Sequence, residues 1–154
     1  MSENKDSRNL TTLCYIEQDD RYLMMHRVSK KNDCNQGKWI GVGGHFKEGE
    51  SPEECLLREV REETGLNVDK LTLCGVKQFP ISGGRYIVFL FRGSRFSGEL
   101  HSSPEGPVFW ASRDELEGKR LCDNFTQMLS VFTDPDKSEM LWSTEDGEWK
   151  LEIL

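Results

Sequence analysis

The chain has 154 residues, which is enough for one domain with its own core and short for two. Its 27 acidic and 20 basic side chains give a formal net charge of −7, and it lacks the basic block that duplex nucleic-acid binding requires. No segment approaches the roughly 18 apolar residues of a membrane span, and the N-terminus lacks the apolar core of a signal peptide, so we expect a cytoplasmic protein.

The N-terminal part of the chain predicts a tail followed by a β-hairpin. Residues 1–9 are polar and are expected to form a flexible tail, whereas residues 10–154 are expected to form a single domain. Residues 10–17 and 21–27 are rich in apolar, aromatic and β-branched side chains and are separated by two aspartates. This pattern predicts two strands that pair as a hairpin.

A lysine-containing loop and a pair of glycines come next. Residues 28–38 have turn composition, which predicts an exposed loop near the site. Residues 39–42 read as a short strand that leads into Gly43 and Gly44. Because glycine has no Cβ, the backbone there can turn sharply and approach a ligand closely.

The helix after the glycines has start and stop signals at both ends. Ser51 and Glu54 have the spacing of a capping box, and Pro52 suits the first helical position. Gly65 can adopt the left-handed conformation that ends a helix. The sequence therefore predicts a helix over residues 52–64.

Three carboxylates share one stripe of this helix. At about 100° per residue, Glu59, Glu62 and Glu63 fall at i, i+3 and i+4. The neighbouring stripe packs into the core and carries Leu56, Leu57, Val60 and Thr64. Like charges at this spacing repel each other, so a divalent cation would explain why they are gathered. Hard oxygen ligands favour Mg²⁺ or Mn²⁺.

The second half of the chain alternates strands with helices. Residues 71–79 and 86–92 predict two strands around a Ser-Gly-Gly turn, and a longer loop is expected over residues 93–107. Residues 108–110 predict a short buried strand. With the elements before them, they point to an α/β fold, a mixed sheet with helices on both faces.

The C-terminal third of the chain adds two capped segments and a hairpin. Ser112 opens the first segment, and Asp123 or Asn124 caps a packing helix that runs to about residue 132. The last sixteen residues, 139–154, read as two strands around an Asp-Gly turn, which is a strong hairpin signal.

The cysteines indicate a reducing compartment. Their number is odd and none has the spacing of a metal-binding or redox pair, so buried or half-buried free thiols are expected. They are Cys14, Cys34, Cys55, Cys74 and Cys122.

The stretch from Gly44 to Leu66 resembles the signature of the Nudix hydrolases, G-x5-E-x7-R-E-U-x-E-E-x-G-U, in which U is a bulky apolar residue. Every required position is matched, by Gly44, Glu50, Arg58, Glu59, Val60, Glu62, Glu63, Gly65 and Leu66. The lead-in GKWIGVGG resembles the MutT-type branch, which includes the 8-oxo-dGTP diphosphatases. Outside residues 37–68, the resemblance is one of layout more than of identity.

The resemblance implies the Nudix fold, an α/β/α sandwich with a central mixed β-sheet, and a set of metal ligands. Glu59, Glu62 and Glu63 resemble the ligands of a catalytic Mg²⁺, which Mn²⁺ could replace, and the carbonyl of Gly44 is a further ligand candidate. The general base is expected to be Glu62 or Glu63. Two readings of Glu105 stay open, a further metal ligand or base and an ordinary loop acid.

Other residues are expected to orient the acids or to bind substrate. Arg58 and Glu50 are expected to form an ion pair that holds the loop against the helix and aims the carboxylates. Arg27 and Lys38 are candidate phosphate contacts, although Lys38 reads equally well as an exposed cation. Gly43 is expected to bring its backbone close to the substrate.

The base pocket is the least specified part of the site. Ile40 stands where the animal enzymes of the branch place a base-reading asparagine, and its apolar side chain cannot hydrogen-bond a base edge. Asp123 and Asn124 are the polar candidates, and capping of the following helix is the competing explanation for both. His45 is expected to belong to the loop without catalytic duty.

Three hypotheses for the function follow. The first is Mg²⁺-dependent hydrolysis of a purine nucleoside triphosphate, such as 8-oxo-dGTP, to the monophosphate and pyrophosphate. The second is hydrolysis of another nucleoside diphosphate derivative, such as ADP-ribose or a dinucleoside polyphosphate. The third is a non-catalytic nucleotide-binding module. Each implies a small-molecule nucleotide partner and no membrane, and the chain is compatible with a monomer or a homodimer.

Overall fold

The computed structural model describes residues 9–28, 37–116, 121 and 124–154. Outside these ranges lie most of the tail predicted over residues 1–9 and of the loop predicted over residues 28–38, together with Cys34, Cys122 and Asp123. The cysteines within them, Cys14, Cys55 and Cys74, are free thiols. No helix in these ranges is both long enough and apolar enough to cross a membrane.

The described residues contain eight strands and three helices. The strands are β1 Leu10–Gln18, β2 Arg21–His26, β3 Trp39–Ile40, β4 Asn67–Ile81, β5 Gly84–Ser97, β6 Val108–Ser112, β7 Glu139–Glu145 and β8 Glu148–Ile153. The helices are α1 Pro52–Thr64, α2 Arg113–Leu116 and α3 Phe125–Thr133.

The strands form one mixed sheet. Its order is β3-β2-β1-β5-β4-β7-β8, and β6 pairs with β2 off this path. β1 is parallel to β5 and β4 is parallel to β7, while the other pairs are antiparallel. The predicted mixed sheet is confirmed.

The helices cover opposite faces of this sheet, because successive residues of β1 belong to different cores. Cys14 and Ile16 pack in the cluster that contains Leu56 and Val60 of α1. Tyr15 packs in the other cluster, with α3. This arrangement is the predicted α/β/α sandwich, and α1 lies against β1, where it can present its acids near the glycines.

The predicted hairpin of β1 and β2 is confirmed only beside its turn. Asp19 and Asp20 both have positive φ, 51° and 62°, which suits a tight two-residue hairpin turn. The strands pair through the two residues on each side of that turn and then diverge. β1 takes β5 as its long partner and β2 takes β6, because strand pairing depends on distant segments that local patterning does not specify.

β4 and β5 are longer than predicted. They span residues 67–81 and 84–97, so the predicted loop over residues 93–107 loses its first five residues to β5. Register shifts between Val68 and Gly75 interrupt the pairing. Such irregularities break the two-residue alternation from which a strand is recognised, which explains the underestimate.

The ends of α1 are confirmed. The Glu54 N–H donates to Ser51 Oγ over 3.1 Å, and the Ser51 N–H donates to Glu54 Oε1 over 3.3 Å, which forms the capping box. Gly65 ends the helix at φ 81°. The Asp-Gly hairpin between β7 and β8 is also confirmed. Local chemistry was sufficient to predict these features.

Candidate active site

The glycines are held against β1 by backbone pairing. Residues 42–46, which we call the glycine loop, run antiparallel to β1. The Cys14 N–H donates to the Val42 carbonyl over 2.7 Å, and the Thr12 N–H donates to the Gly44 carbonyl over 2.9 Å. The buried Thr12 hydroxyl also accepts the Gly44 N–H over 3.4 Å. The glycine loop therefore extends the sheet beside β1 and has a defined position.

Both glycines lie where a side chain would not fit. A Cβ on Gly44 would overlap the carboxylate of Glu59, and a Cβ on Gly43 would overlap the carbonyl of Thr12. The Gly44 carbonyl already accepts hydrogen bonds from Thr12 and from the Cys55 thiol, the latter over 3.5 Å. A glycine at position 44 therefore leaves room for the Glu59 carboxylate to pack against the loop. The proposed role of the Gly44 carbonyl as a metal ligand stays a prediction.

Gly44→Ala is expected to lower the affinity for Mg²⁺ by about tenfold to a hundredfold, because the added methyl group displaces the Glu59 carboxylate. Calorimetric titration with Mg²⁺ measures the change. Gly84→Ala is the matched control, since the nearest heavy atom to its new Cβ is 3.8 Å away. Equal Mg²⁺ affinities in the two variants would contradict the expectation.

Arg58 of α1 joins the loop to the acids. Its Nε and Nη2 donate to the two oxygens of Glu50 over 2.7 and 2.9 Å, which forms the predicted ion pair. Nη1 donates to Glu59 over 2.9 Å and to Glu62 over 3.2 Å. Nη2 also donates to the carbonyl of His45 in the glycine loop over 3.0 Å. One guanidinium therefore orients three carboxylates and one loop carbonyl.

The protonation of this network follows from its geometry. The hydrogen bond from Arg58 lowers the pKa of Glu50 below its ordinary value. The hydrogen bond to Glu50 likewise raises the pKa of the Arg58 guanidinium, which is charged in any case. Both partners are thus ionised, with side chains only 19% and 15% exposed, and such a charged hydrogen-bonded pair holds its geometry firmly.

Glu63 departs from the sequence expectation. It was predicted to be presented on the surface of the helix with the other acids, but it is 4% exposed and its Oε1 has no hydrogen-bond partner. Burial raises the pKa of Glu63 well above its ordinary value, and the negative charge of Glu105 and the neighbouring Glu59 raise it further. Glu63 borders the apolar stripe of the helix, beside Thr64, which is fully buried, and this position accounts for its burial.

The loop before β6 brings Glu105 to this acid. The His26 N–H, at the end of β2, donates to the Pro107 carbonyl over 3.0 Å, and the Val28 N–H, two residues further on, donates to the Glu105 carbonyl over 3.1 Å. Glu105 raises the pKa of Glu63 through its charge, and Arg27 acts in the opposite direction. Both candidates therefore lie near Glu63, although they are distant from it in sequence.

The three signature acids do not converge on one point. Glu62 has a 53% exposed side chain that accepts a hydrogen bond from Arg58, whereas Glu63 is buried. Within the ranges described above, no three His, Cys, Asp or Glu side chains are close enough together to hold a metal ion. Repulsion between carboxylates and the attraction of Arg58 favour this spread arrangement.

The remaining predicted residues occupy varied positions. The Arg27 N–H donates to the Lys38 carbonyl over 3.0 Å, so these two candidates are neighbours. Ile40 is buried in the core on the α1 side, and its side chain has no hydrogen-bonding group to offer a base. Asn124 precedes α3 at φ 60° and makes no side-chain capping hydrogen bond, so capping does not explain its amide.

Two residues near the glycine loop were missed by sequence reasoning. In the sequence Thr12 reads only as part of a strand and Cys55 only as a buried or half-buried thiol, yet both contact Gly44. Burial raises the pKa of Cys55, so it is a neutral donor to the Gly44 carbonyl. The sequence carries no signal for either residue, because Thr12 is one of two adjacent threonines in a strand and Cys55 is one of several scattered cysteines.

Comparison with known proteins adds independent findings. The family model of the NUDIX domain matches residues 7–133. An oxidized purine nucleoside triphosphate hydrolase of Danio rerio is 35% identical over 109 residues, which cover 70% of this chain and 68% of the relative. The Bacillus subtilis protein described as an uncharacterized Nudix hydrolase, YvcI, is 30% identical over 112 residues, which cover 69% of this chain and 67% of the relative.

Solved structures show the same fold. A MutT protein from Bacillus halodurans superposes with a TM-score of 0.71 at 24% identity, covering 94% of this chain and 96% of that one. A NUDIX hydrolase from Nitrosomonas europaea superposes with a TM-score of 0.67 at 28% identity, covering 80% of this chain and 87% of that one. The overall fold is thus a known architecture.

Proposed function

The chain belongs to the Nudix family of phosphoanhydride hydrolases, and from this premise we propose that it hydrolyses a purine nucleoside triphosphate to the monophosphate and pyrophosphate. The substrate proposed is 8-oxo-dGTP or another purine deoxynucleoside triphosphate, and the role proposed is sanitation of the nucleotide pool in the cytoplasm. The proposal takes residues 10–154 as one catalytic unit and Mg²⁺ as its cofactor, with Mn²⁺ as a substitute.

The observation that carries the proposal is the state of Glu63. A buried carboxyl with an oxygen that lacks a hydrogen-bond partner, next to Glu59 and Glu105, is costly for folding. A divalent cation would remove that cost, since it would interact favourably with all three acids. Oxygen donors of this kind suit Mg²⁺, so the residues present fit the cofactor.

The residues that would hold the cation are Glu59, Glu62 and Glu63, with the Gly44 carbonyl and Glu105 as further ligands. When bound, Mg²⁺ supplies neutralisation of charge on the phosphate oxygens. Of the two candidate bases, Glu62 is the one that solvent reaches. We therefore assign cation binding alone to Glu63, and we assign to Glu62 a second role besides cation binding, which is to orient and deprotonate the attacking water.

The positive side chains have separate tasks in this proposal. Arg58 keeps Glu59 and Glu62 in place through the contacts described above and does not touch the substrate. Arg27, near Glu63, is proposed to bind the phosphates, and Lys38 beside it is proposed to extend this contact. Gly43 lets the loop pack against the Thr12 carbonyl, and its backbone is proposed to lie close to the substrate.

A hydrolysis screen in Mg²⁺ tests the proposal, with dNTPs, 8-oxo-dGTP, ADP-ribose and dinucleoside polyphosphates as substrates and chromatographic identification of products. We expect release of pyrophosphate from a purine triphosphate with the highest kcat/KM of the panel, and no release without a divalent cation. A sugar nucleotide or dinucleotide hydrolysed far faster than every triphosphate would replace the proposed substrate class. Tight binding without turnover in Mg²⁺ or Mn²⁺ would indicate a binding module instead.

A further inference from the structure

A row of directly paired residues crosses the sheet from the glycine loop to one lysine. His45 pairs with Thr11 of β1, and Thr11 pairs with Val88 of β5. Val88 in turn pairs with Lys77 of β4. Residues paired directly across strands lie on the same face of a sheet. His45 and Lys77 therefore share one face and are three strand spacings apart, about 14 Å.

Lys77 is a cation in an apolar neighbourhood. Its direct partners Val88 and Met140 are buried in the core cluster on the α3 side. α3 covers β4 two residues earlier, at Gly75, where an added Cβ would lie 2.8 Å from the Val131 side chain. Lys77 is half-buried, and its ammonium has no ion pair or hydrogen bond with any residue that the structure describes. An apolar side chain would suit this position better if packing were its only task.

An aromatic surface lies beside this row and begins at the glycine loop. The Tyr86 hydroxyl lies 3.1 Å from Nε2 of His45, and the Tyr86 ring stacks on Phe79 with 4.9 Å between the ring centroids. Phe79 is two residues beyond Lys77 on β4, so it faces the same side of the sheet. Both rings are half-buried. A pair of rings with partly open faces can stack on a nucleobase.

We propose that Lys77 binds the edge of the substrate's base and selects purines that carry an oxygen at position 6. The inference rests on the proposed function, because it takes the substrate to be a nucleoside triphosphate whose phosphates lie at the glycine loop. The base then reaches across the sheet towards Lys77 and stacks at Phe79 and Tyr86. When the phosphates are bound near His45 at one end of the row, the base lies near Lys77 at the other end.

The chemistry of the ammonium group determines the selection. A lysine offers three hydrogen-bond donors and no acceptor. Guanine and hypoxanthine present O6 and N7 as acceptors, whereas adenine presents an amino group at position 6. Oxidation of guanine at C8 places a hydrogen on N7 and removes one of these acceptors. Lys77 thus separates 6-oxopurines from adenine and gives no advantage to the oxidised base.

The test compares the wild-type protein with Lys77→Met. Binding of the α,β-methylene analogues of dGTP, dITP and dATP is measured by calorimetry in Mg²⁺, and kcat/KM is measured with the hydrolysable nucleotides. We expect the wild type to bind the two 6-oxopurine analogues at least about tenfold more tightly than the dATP analogue, and the variant to lose that preference. Methionine suits the apolar row, so the Tm of the variant is not expected to fall.

Two further variants sharpen the result. Lys77→Arg keeps donors at this position and is expected to retain the preference for 6-oxopurines. Lys70→Met removes an exposed lysine from the other end of the same strand and is expected to leave the preference unchanged. A loss of preference in Lys70→Met equal to that in Lys77→Met would overturn the assignment.

Other outcomes separate this inference from the proposed function. Equal affinity of the wild type for the three analogues would overturn the inference. An equal loss of affinity for all three analogues in Lys77→Met would also overturn it, because a residue that contacts the phosphates affects all nucleotides alike. Preferential binding of 6-oxopurines, lost in Lys77→Met, without release of pyrophosphate would support the base contact and contradict the proposed hydrolysis.

Discussion

Replacing Glu63 by glutamine is expected to abolish turnover while it stabilises the metal-free protein. Glu63 is proposed to bind the cation directly. Mutation of a residue that only hydrogen-bonds to a metal ligand already lowers activity about tenfold to a hundredfold, so the loss of kcat in Glu63→Gln should exceed about a hundredfold. The gain in stability follows from burial. Glu63 carries an oxygen without a hydrogen-bond partner, and its ionised form is disfavoured by burial and by the nearby charge of Glu105.

The pH dependence of stability shows whether the gain in Glu63→Gln comes from removing a buried carboxyl group. Because the pKa of Glu63 is raised in the folded protein, its acid form stabilises the fold below the ordinary pKa of glutamate, and this contribution is lost as pH rises towards the raised value. Glu63→Gln has no carboxyl group to ionise at this position, so it does not lose this stability as pH rises. Its Tm in EDTA should therefore exceed that of the wild type by more at pH 8 than at pH 5.

Matched variants of the same helix serve as controls. Glu62→Gln should also lower kcat, yet it should not raise Tm in EDTA, because the side chain of Glu62 is 53% exposed and its replacement relieves no cost of burial. Glu53→Gln, in the exposed first turn of α1, should change neither quantity. The assignment of Glu63 fails if Glu63→Gln keeps kcat within twofold of the wild type.

Replacing Arg58 by methionine is expected to destabilise the protein by about 3 kcal/mol, the lower end of the cost of breaking a buried ion pair. The largely buried carboxylates of Glu50 and Glu59 lose their shared partner, and the His45 carbonyl loses a donor. In a protein of this size such a loss lowers Tm by roughly 6–12 °C. Thermal unfolding in EDTA measures it.

The acid limb of the unfolding profile provides a second readout for Arg58. The pKa of Glu50 is lowered by its hydrogen bond from Arg58, so this pair stabilises the fold above the ordinary pKa of glutamate and loses that effect as pH falls. Arg58→Met should flatten this part of the profile. Arg61→Met is the control, since Arg61 is exposed on the same helix and donates to Asn67 over 3.1 Å. Equal losses of Tm in the two variants would contradict a special role for Arg58.

The parts of the site that the sequence predicted depend on contacts within a few residues. Ser51 and Gly65 bound α1 because capping and the left-handed conformation are local properties. The pairing of Arg58 with Glu50 follows from the spacing of the signature, which brings the end of the glycine-rich segment against the first turns of the helix. These features were available before any fold was known.

The parts that escaped the sequence depend on segments far apart in the chain. Glu63 reads as one more helix acid, and only the fold buries it and brings Glu105 near it, from the loop that is hydrogen-bonded to the end of β2. Lys77 reads as a polar position in a strand, and only the pairing of β1 with β5 and of β5 with β4 places it in line with His45.

The sequence by itself determined which chemical groups are present and which of them share a helix, because helical spacing and end signals are encoded over a few residues. Tertiary structure alone decided which acid is buried, which arginine lies near it, and which lysine shares a sheet face with His45 of the glycine loop. Burial and strand register are set by packing between distant segments, and the free energy of that packing is not readable from any one of them.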